Sequence, residues 1–133
     1  MSQENVELAR EVLDAVGRRD VRRLVALAQP DVEWHSFFAL GQEGGMYRGH
    51  DGTEQYMRDL GDALESAFVE LDDAMGVGDI AVLVGRIRTR GRGSGAESDT
   101  PAGWMLKFRE GKLVRFRAFR EPKDAFEAVG LSE

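Results

Sequence analysis

The chain is 133 residues long, one domain's worth, and is expected to form a single unit over 1–133. Its 42% hydrophobic and 32% charged residues are those of an ordinary globular protein. The absence of cysteine rules out disulfides, thiol nucleophiles and thiolate-held metal or iron–sulfur sites. A formal net charge of −6 opposes general polyanion binding, although Arg86–Arg120 carries 10 Lys/Arg against Glu97, Asp99 and Glu110.

In chain order, Val6, Ala9, Val12, Leu13 and Val16 recur at the spacing of one helix face, with Glu4 and Glu7 near its positive end. Gly17–Asp20 breaks that helix, and Asp20 can cap a short second one that carries Leu24, Leu27 and Ala28 inward until Pro30-Asp31. Val32–Phe38 then switches to β-favouring residues, the first strand. A glycine-rich loop, Gly41–Gly49, precedes a third helix starting near Asp51, with Tyr56, Leu60, Ala63 and Leu64 on one side. From Phe68 the pattern becomes hairpins: Phe68–Val77 turning into Ile80–Arg90, a flexible turn region over Gly91–Ala102, then Trp104–Phe108 turning at Arg109–Lys112 into Leu113–Arg120. Pro122 opens a short terminal helix whose stop is Gly130. Helices segregated from an antiparallel sheet predict an α+β fold.

The N-terminus lacks the cationic and apolar regions of a signal peptide, and no apolar run reaches the roughly 20 residues of a membrane span, so a cytoplasmic, non-membrane protein is expected. Two histidines, His35 and His50, do not suggest a dedicated metal site, and no phosphate loop or dinucleotide fingerprint occurs, so no cofactor is expected. Arg90–Gly95 has the look of an arginine–glycine RNA-binding segment. A single copy in an acidic domain reads better as a hairpin loop, and nucleic acid is not the expected partner.

Several segments resemble the nuclear transport factor 2-like superfamily, and within it the SnoaL-like, ketosteroid-isomerase-related proteins. They are Asp20 with Leu24–Leu27 and Pro30–Trp34, Tyr47–Gly52, Phe108–Leu113, and Arg117–Phe119. The resemblance implies a cone-shaped curved antiparallel sheet, with three helices on its concave face and a pocket between them. It also implies frequent homodimers through the convex face. Ketosteroid isomerases use a carboxylate base with a tyrosine and a protonated aspartic acid. The matching positions here fall on Ser36, Val12 and on or next to Trp104, none of which supplies those groups. The inward aspartate of related epoxide hydrolases and polyketide cyclases matches Ala118, and the epoxide hydrolases' Arg-x-Asp pair matches Arg86-Ile87-Arg88. The usual bases are therefore missing, and the catalytic residues are left unassigned.

Side chains alternate along strands, so if the base position faces inward, Trp34 and Ser36 both do, and His35 points toward the convex face. In the same register Arg86, Arg88 and Arg90 share a face with Val82 and Val84. If that face is concave, two guanidiniums could fork onto a carboxylate, enolate or phosphate; otherwise they pair with carboxylates such as Glu70 or Asp72. Trp104, Leu106 and Phe108 form the inward set of the next strand, and Phe116, Ala118 and Arg120 that of the last, with Arg120 near the mouth. Arg115, Arg117 and Phe119 fall outside. Tyr56 can present a hydroxyl to a ligand oxygen or serve as core. The expected ligand pocket is thus Trp34, Ser36, Tyr56, Arg86, Arg88, Trp104, Phe116 and Arg120. The expected function is binding, or isomerase-, cyclase- or lyase-like conversion, of a small apolar molecule bearing a carboxylate or enolisable carbonyl. The alternative is a non-catalytic ligand-binding or dimerisation module.

Overall fold

The computed structural model describes residues 2–36 and 46–130. Helix α1 (Ser2–Arg18) leads into the short α2 (Val21–Leu27), whose first turn Asp20 caps by accepting from the Arg23 amide at 3.1 Å. The chain extends as β1 (Ala28–His35), resumes as β2 (Met46–Arg48), and enters α3 (Gly49–Ala63). Three long strands follow, β3 (Leu64–Val77), β4 (Ile80–Gly91) and β5 (Glu97–Arg109), then β6 (Lys112–Phe119) and the terminal α4 (Pro122–Ala128). Phe37, Phe38 and the glycine-rich stretch 41–45 lie outside the described residues.

Six strands form one sheet in the order β2-β1-β6-β5-β4-β3. Every neighbouring pair is antiparallel except β1 with β6, which run parallel. The architecture is α+β, as the segregation of helical and strand patterns predicted. Several boundaries differ from the sequence reading: α2 stops at Leu27 and β1 starts at Ala28 rather than Val32, because the chain is already extended through Pro30-Asp31, and α3 stops at Ala63 with β3 starting at Leu64 rather than Phe68. The short β2 was not anticipated, and the turn between β4 and β5 is tighter than Gly91–Ala102. Strand β5 already begins at Glu97, because Arg90 faces Glu97, Thr89 faces Ser98 and Arg88 faces Asp99 across the ladder. Ion pairs and a hydroxyl–hydroxyl hydrogen bond of 2.6 Å stitch those rungs together.

The main core lies between the sheet's concave face and helices α1–α3. It joins Ala9, Val12 and Leu13 to Trp34, Tyr56, Leu83, Trp104, Leu106 and Phe116, all nearly or fully buried. Helix α4 sits on the opposite face. A methyl group added at Gly103, which alternates with the inward Ala102 and Trp104, would come within 3.0 Å of the Ala125 Cβ and the Pro122 Cα. Val82 and Met105, partners across β4 and β5, are also buried on that outer face, at 1% and 5% exposure. The first half of β4, through Val84, is apolar on both sides, which bears on the site. Among the described residues no helix is long and apolar enough to cross a membrane.

Candidate functional site

A hollow of about 30 Å³ lies between α1, α3 and the sheet. Leu13, Val16 and Gly17 form one wall and Tyr56, Leu60 and Leu64 another. Ala67, Val69, Ile87, Trp104, Phe116 and Ala118 form the floor. Room for a water or two is far below the several hundred cubic ångströms of a drug-sized site, so this conformation is nearly closed. Leu13, Gly17, Ala67 and Val69 also line a groove of about 330 Å³ between α1 and β3, giving the hollow an outward continuation.

Of the eight residues expected to line a pocket, Tyr56, Trp104 and Phe116 do so. Trp34 and Ser36 are buried one layer behind. The Trp34 ring lies 4.9 Å from Phe116 and 5.5 Å from Tyr56 between centroids, and its indole N–H donates to the Thr53 hydroxyl at 2.8 Å. Thr53 in turn donates to the Gly49 carbonyl at 2.9 Å. These bonds allow an indole and a hydroxyl to be fully buried without an orphaned group. The Tyr56 hydroxyl is hydrogen-bonded to Ser36, and burial pushes the phenol up to about 12 against the opposing pull of that bond. Tyr56 at pH 7 is therefore a neutral donor or acceptor, not a base.

Arg86 and Arg88 do not enter the hollow; Ile87 takes that place. Their guanidiniums stand on the outer face, where Arg86 Nε meets Asp99 at 2.7 Å and Arg88 reaches Glu70 at 3.6 Å and Asp99 at 3.5 Å. These arginines hold the exposed Asp99 carboxyl below its ordinary range, Arg86 through its hydrogen bond most strongly. The register is the opposite of the one expected for β4. An even-numbered inward set would bury the arginines' charge in an apolar hollow without carboxylates, at a cost that the odd set Ala81, Leu83, Gly85 and Ile87 avoids. Arg120 follows the last strand and is exposed, outside the hollow. His35 does point to the convex face. It shares Glu33 with Arg48 and Arg115, and the His35 hydrogen bond is the largest influence holding that carboxyl below its usual range.

Arg19 is the residue that sequence reasoning missed. Among the described lining residues it is the one charged side chain, and it spans from the α1–α2 junction to the start of β3. Its guanidinium donates to the Leu64 carbonyl and to the Glu65 carbonyl, each at 2.8 Å. No local pattern signals a contact across 45 residues, but the break at Gly17–Asp20 marked the position as special. Ala118, matched to a catalytic aspartate by resemblance, does line the hollow, with only a methyl group to offer.

No curated protein matches the chain in sequence. Among solved structures, an NTF2-like protein of unknown function from Burkholderia pseudomallei is 22% identical with a TM-score of 0.78, covering 96% of this chain and 98% of that one. TerC, co-crystallised with polyporic acid, is 21% identical with a TM-score of 0.76, covering 94% of this chain and 96% of its own. An LEH-like epoxide hydrolase from M. tuberculosis is 13% identical with a TM-score of 0.72, covering 95% of this chain and 89% of its own. At these identities the likeness is one of fold. The SnoaL-like domain model matches residues 9–116, from the first helix to the floor of the hollow, and the chain belongs to the SnoaL-like domain family.

Proposed function

We propose that this protein binds a small, mainly apolar organic molecule in the hollow beneath α1 and α3, without proton-transfer chemistry of the ketosteroid-isomerase type. One observation carries the reading: the described lining residues are aliphatic or aromatic apart from Arg19, with no carboxylate or imidazole among them. A general base must reach the proton it removes, and none of these groups is basic near neutral pH. The relatives support the ligand class, since one fold neighbour is crystallised with polyporic acid and others are named as polyketide cyclases or an epoxide hydrolase. The outward position of Arg86 and Arg88 removes the original reason for expecting a carboxylate or enolate at the floor. Tyr56 lines the hollow, and its hydroxyl meets a ligand oxygen only by exchanging its bond to Ser36. Because the hollow is nearly closed, binding requires side chains at the α1–β3 groove to move. A second copy covering the convex face beyond α4, around Arg117 stacked 4.7 Å over Phe119, belongs to the same proposal, and sedimentation tests it.

Thermal shift with acetophenone tests the ligand reading, because that probe pairs an apolar ring with one acceptor. The expected result is a rise in Tm for the native chain and none for Ala118→Leu, whose side chain fills the hollow. If acetophenone gives no shift while Ala118→Leu merely raises stability, the hollow is an ordinary packing defect and the proposal fails.

A further inference from the structure

Two guanidiniums beside the hollow form no ion pair among the described residues: Arg19, which lines it, and Arg92, which meets the Leu64 carbonyl of that lining. Arg19 sits at the αL position that closes α1. The Asp20 amide bonds back to the Ala15 carbonyl at 2.9 Å and the Arg19 amide to Val16 at 3.0 Å, leaving Arg19 at φ +54°. Glycine is the usual occupant of such a position, because any Cβ is crowded there. An arginine held in that strained place reaches with a long cationic side chain along the hollow's lining to the Leu64 and Glu65 carbonyls. Arg92, from the β4–β5 turn, approaches from the other side. Its Nε donates to the Gly61 carbonyl at 2.6 Å, and one terminal nitrogen reaches the same Leu64 carbonyl that Arg19 uses, at 3.5 Å. Two full positive charges thus converge on one neutral oxygen at the C-terminal end of α3, where the helix dipole favours cations. Asp62 and Glu65 adjoin the spot in sequence, yet among the described residues neither Arg19 nor Arg92 forms an ion pair. Each guanidinium has five donors, so both keep capacity for a further acceptor.

Resting on the reading that the hollow is a ligand site, we infer that Arg19 and Arg92 receive the carboxylate head of an amphipathic ligand whose apolar tail enters the hollow. A carboxylate accepts charge-assisted hydrogen bonds stronger than those of a backbone carbonyl, and it fits the planar fork of an arginine. It therefore offers Arg19 a better partner than the carbonyls of Leu64 and Glu65. Exchanging those bonds for the ligand's withdraws the side chain that bridges α1 to β3. The ligand's differential affinity for the opened state then drives the widening that the closed hollow needs.

Octanoate and octan-1-ol test this as a matched pair, titrated by calorimetry or by tryptophan fluorescence at low salt. The native chain is expected to bind octanoate about ten-fold or more tightly than the alcohol, the scale of one charge-assisted contact. Added salt should shrink that preference, because both arginines are at least partly exposed. Arg92→Gln, an exposed replacement outside the hollow's lining, and Arg19→Gln should each bring the ratio toward one by lowering octanoate affinity more than octanol affinity. Thermal melts confirm that each variant is folded, and the native comparison needs no variant at all. Equal affinity for both probes overturns the head-group assignment and leaves the apolar site standing. A preference for octanoate that survives both replacements also overturns it, placing the charge readout elsewhere. Binding of neither probe removes the underlying ligand reading as well.

Discussion

Replacing Thr53 by valine removes one oxygen from the centre of the fold at nearly constant shape. That oxygen accepts the Trp34 indole N–H at 2.8 Å, and Thr53 is fully buried, so no water can substitute for it. Stranding a buried donor costs about 1–3 kcal/mol. The methyl group that replaces the hydroxyl recovers about 0.8 kcal/mol of apolar burial. The second bond, from Thr53 to the Gly49 carbonyl, matters less because that carbonyl lies in the first turn of α3 and has a backbone donor within the helix. The net expectation is about 1.5 kcal/mol of destabilisation, or roughly 5–7 °C in Tm for a chain of this size. Urea unfolding measures it directly, with Thr89→Val as a control, since the Thr89–Ser98 bond is exposed and its loss should change little. Trp34→Phe removes the donor, so in the double variant the valine should cost less than it does alone, giving a measurable coupling energy. The reasoning is refuted if Thr53→Val matches the native stability within about 0.5 kcal/mol, or if the two changes are simply additive.

Further predictions follow from the same geometry. Gly85→Ala should destabilise by more than about 3 kcal/mol or prevent folding, because the new methyl would stand 2.0 Å from the Glu70 carbonyl oxygen and 2.9 Å from the Leu71 Cα, both backbone atoms; near-native urea stability would contradict the register at the β3 irregularity. Absorbance titration at 295 nm should show the Tyr56 phenol ionising only near pH 12 in the folded chain. The unfolded phenol ionises near pH 10, so stability falls as pH rises between those values, and Tyr56→Phe should remove that slope. Glu33→Gln should flatten the acid limb of the stability profile. The native carboxyl is held low by His35, Arg115 and Arg48, so its contribution is present above the ordinary carboxylate range and lost as pH falls through the lowered value. Arg86→Ala and Arg88→Ala should leave binding of an uncharged apolar probe unchanged, since both side chains stand on the outer face; lost binding in a folded variant would return them to the site.

The order and kind of most elements were legible because each depends on local periodicity and punctuation. The apolar face of α1, the Asp20 cap, the turn at Arg109–Lys112 and the proline opening α4 are all contained in short windows. Trp34, Tyr56, Trp104 and Phe116 were identifiable as inward aromatics for the same reason. The register of β4 was harder. Ala81, Val82 and Leu83 are all buried, so apolarity does not choose between its two faces. One signal was available: the odd set Ala81–Ile87 carries no charge, whereas the even set holds Arg86, Arg88 and Arg90.

Apolarity left the parity of β4 open, because α4, packed on the outer face at Gly103, gives that face buried residues too, Val82 and Met105 among them. Tertiary structure also decided which charges stand beside the hollow. Arg19 and Arg92 meet at the Leu64 carbonyl from positions 45 and 28 residues away, a convergence that no local pattern encodes. Sequence determines the faces of individual elements, since side-chain direction repeats along a helix or strand. Which faces meet depends on long-range packing, and there the free energy of burying or exposing charge made the choice.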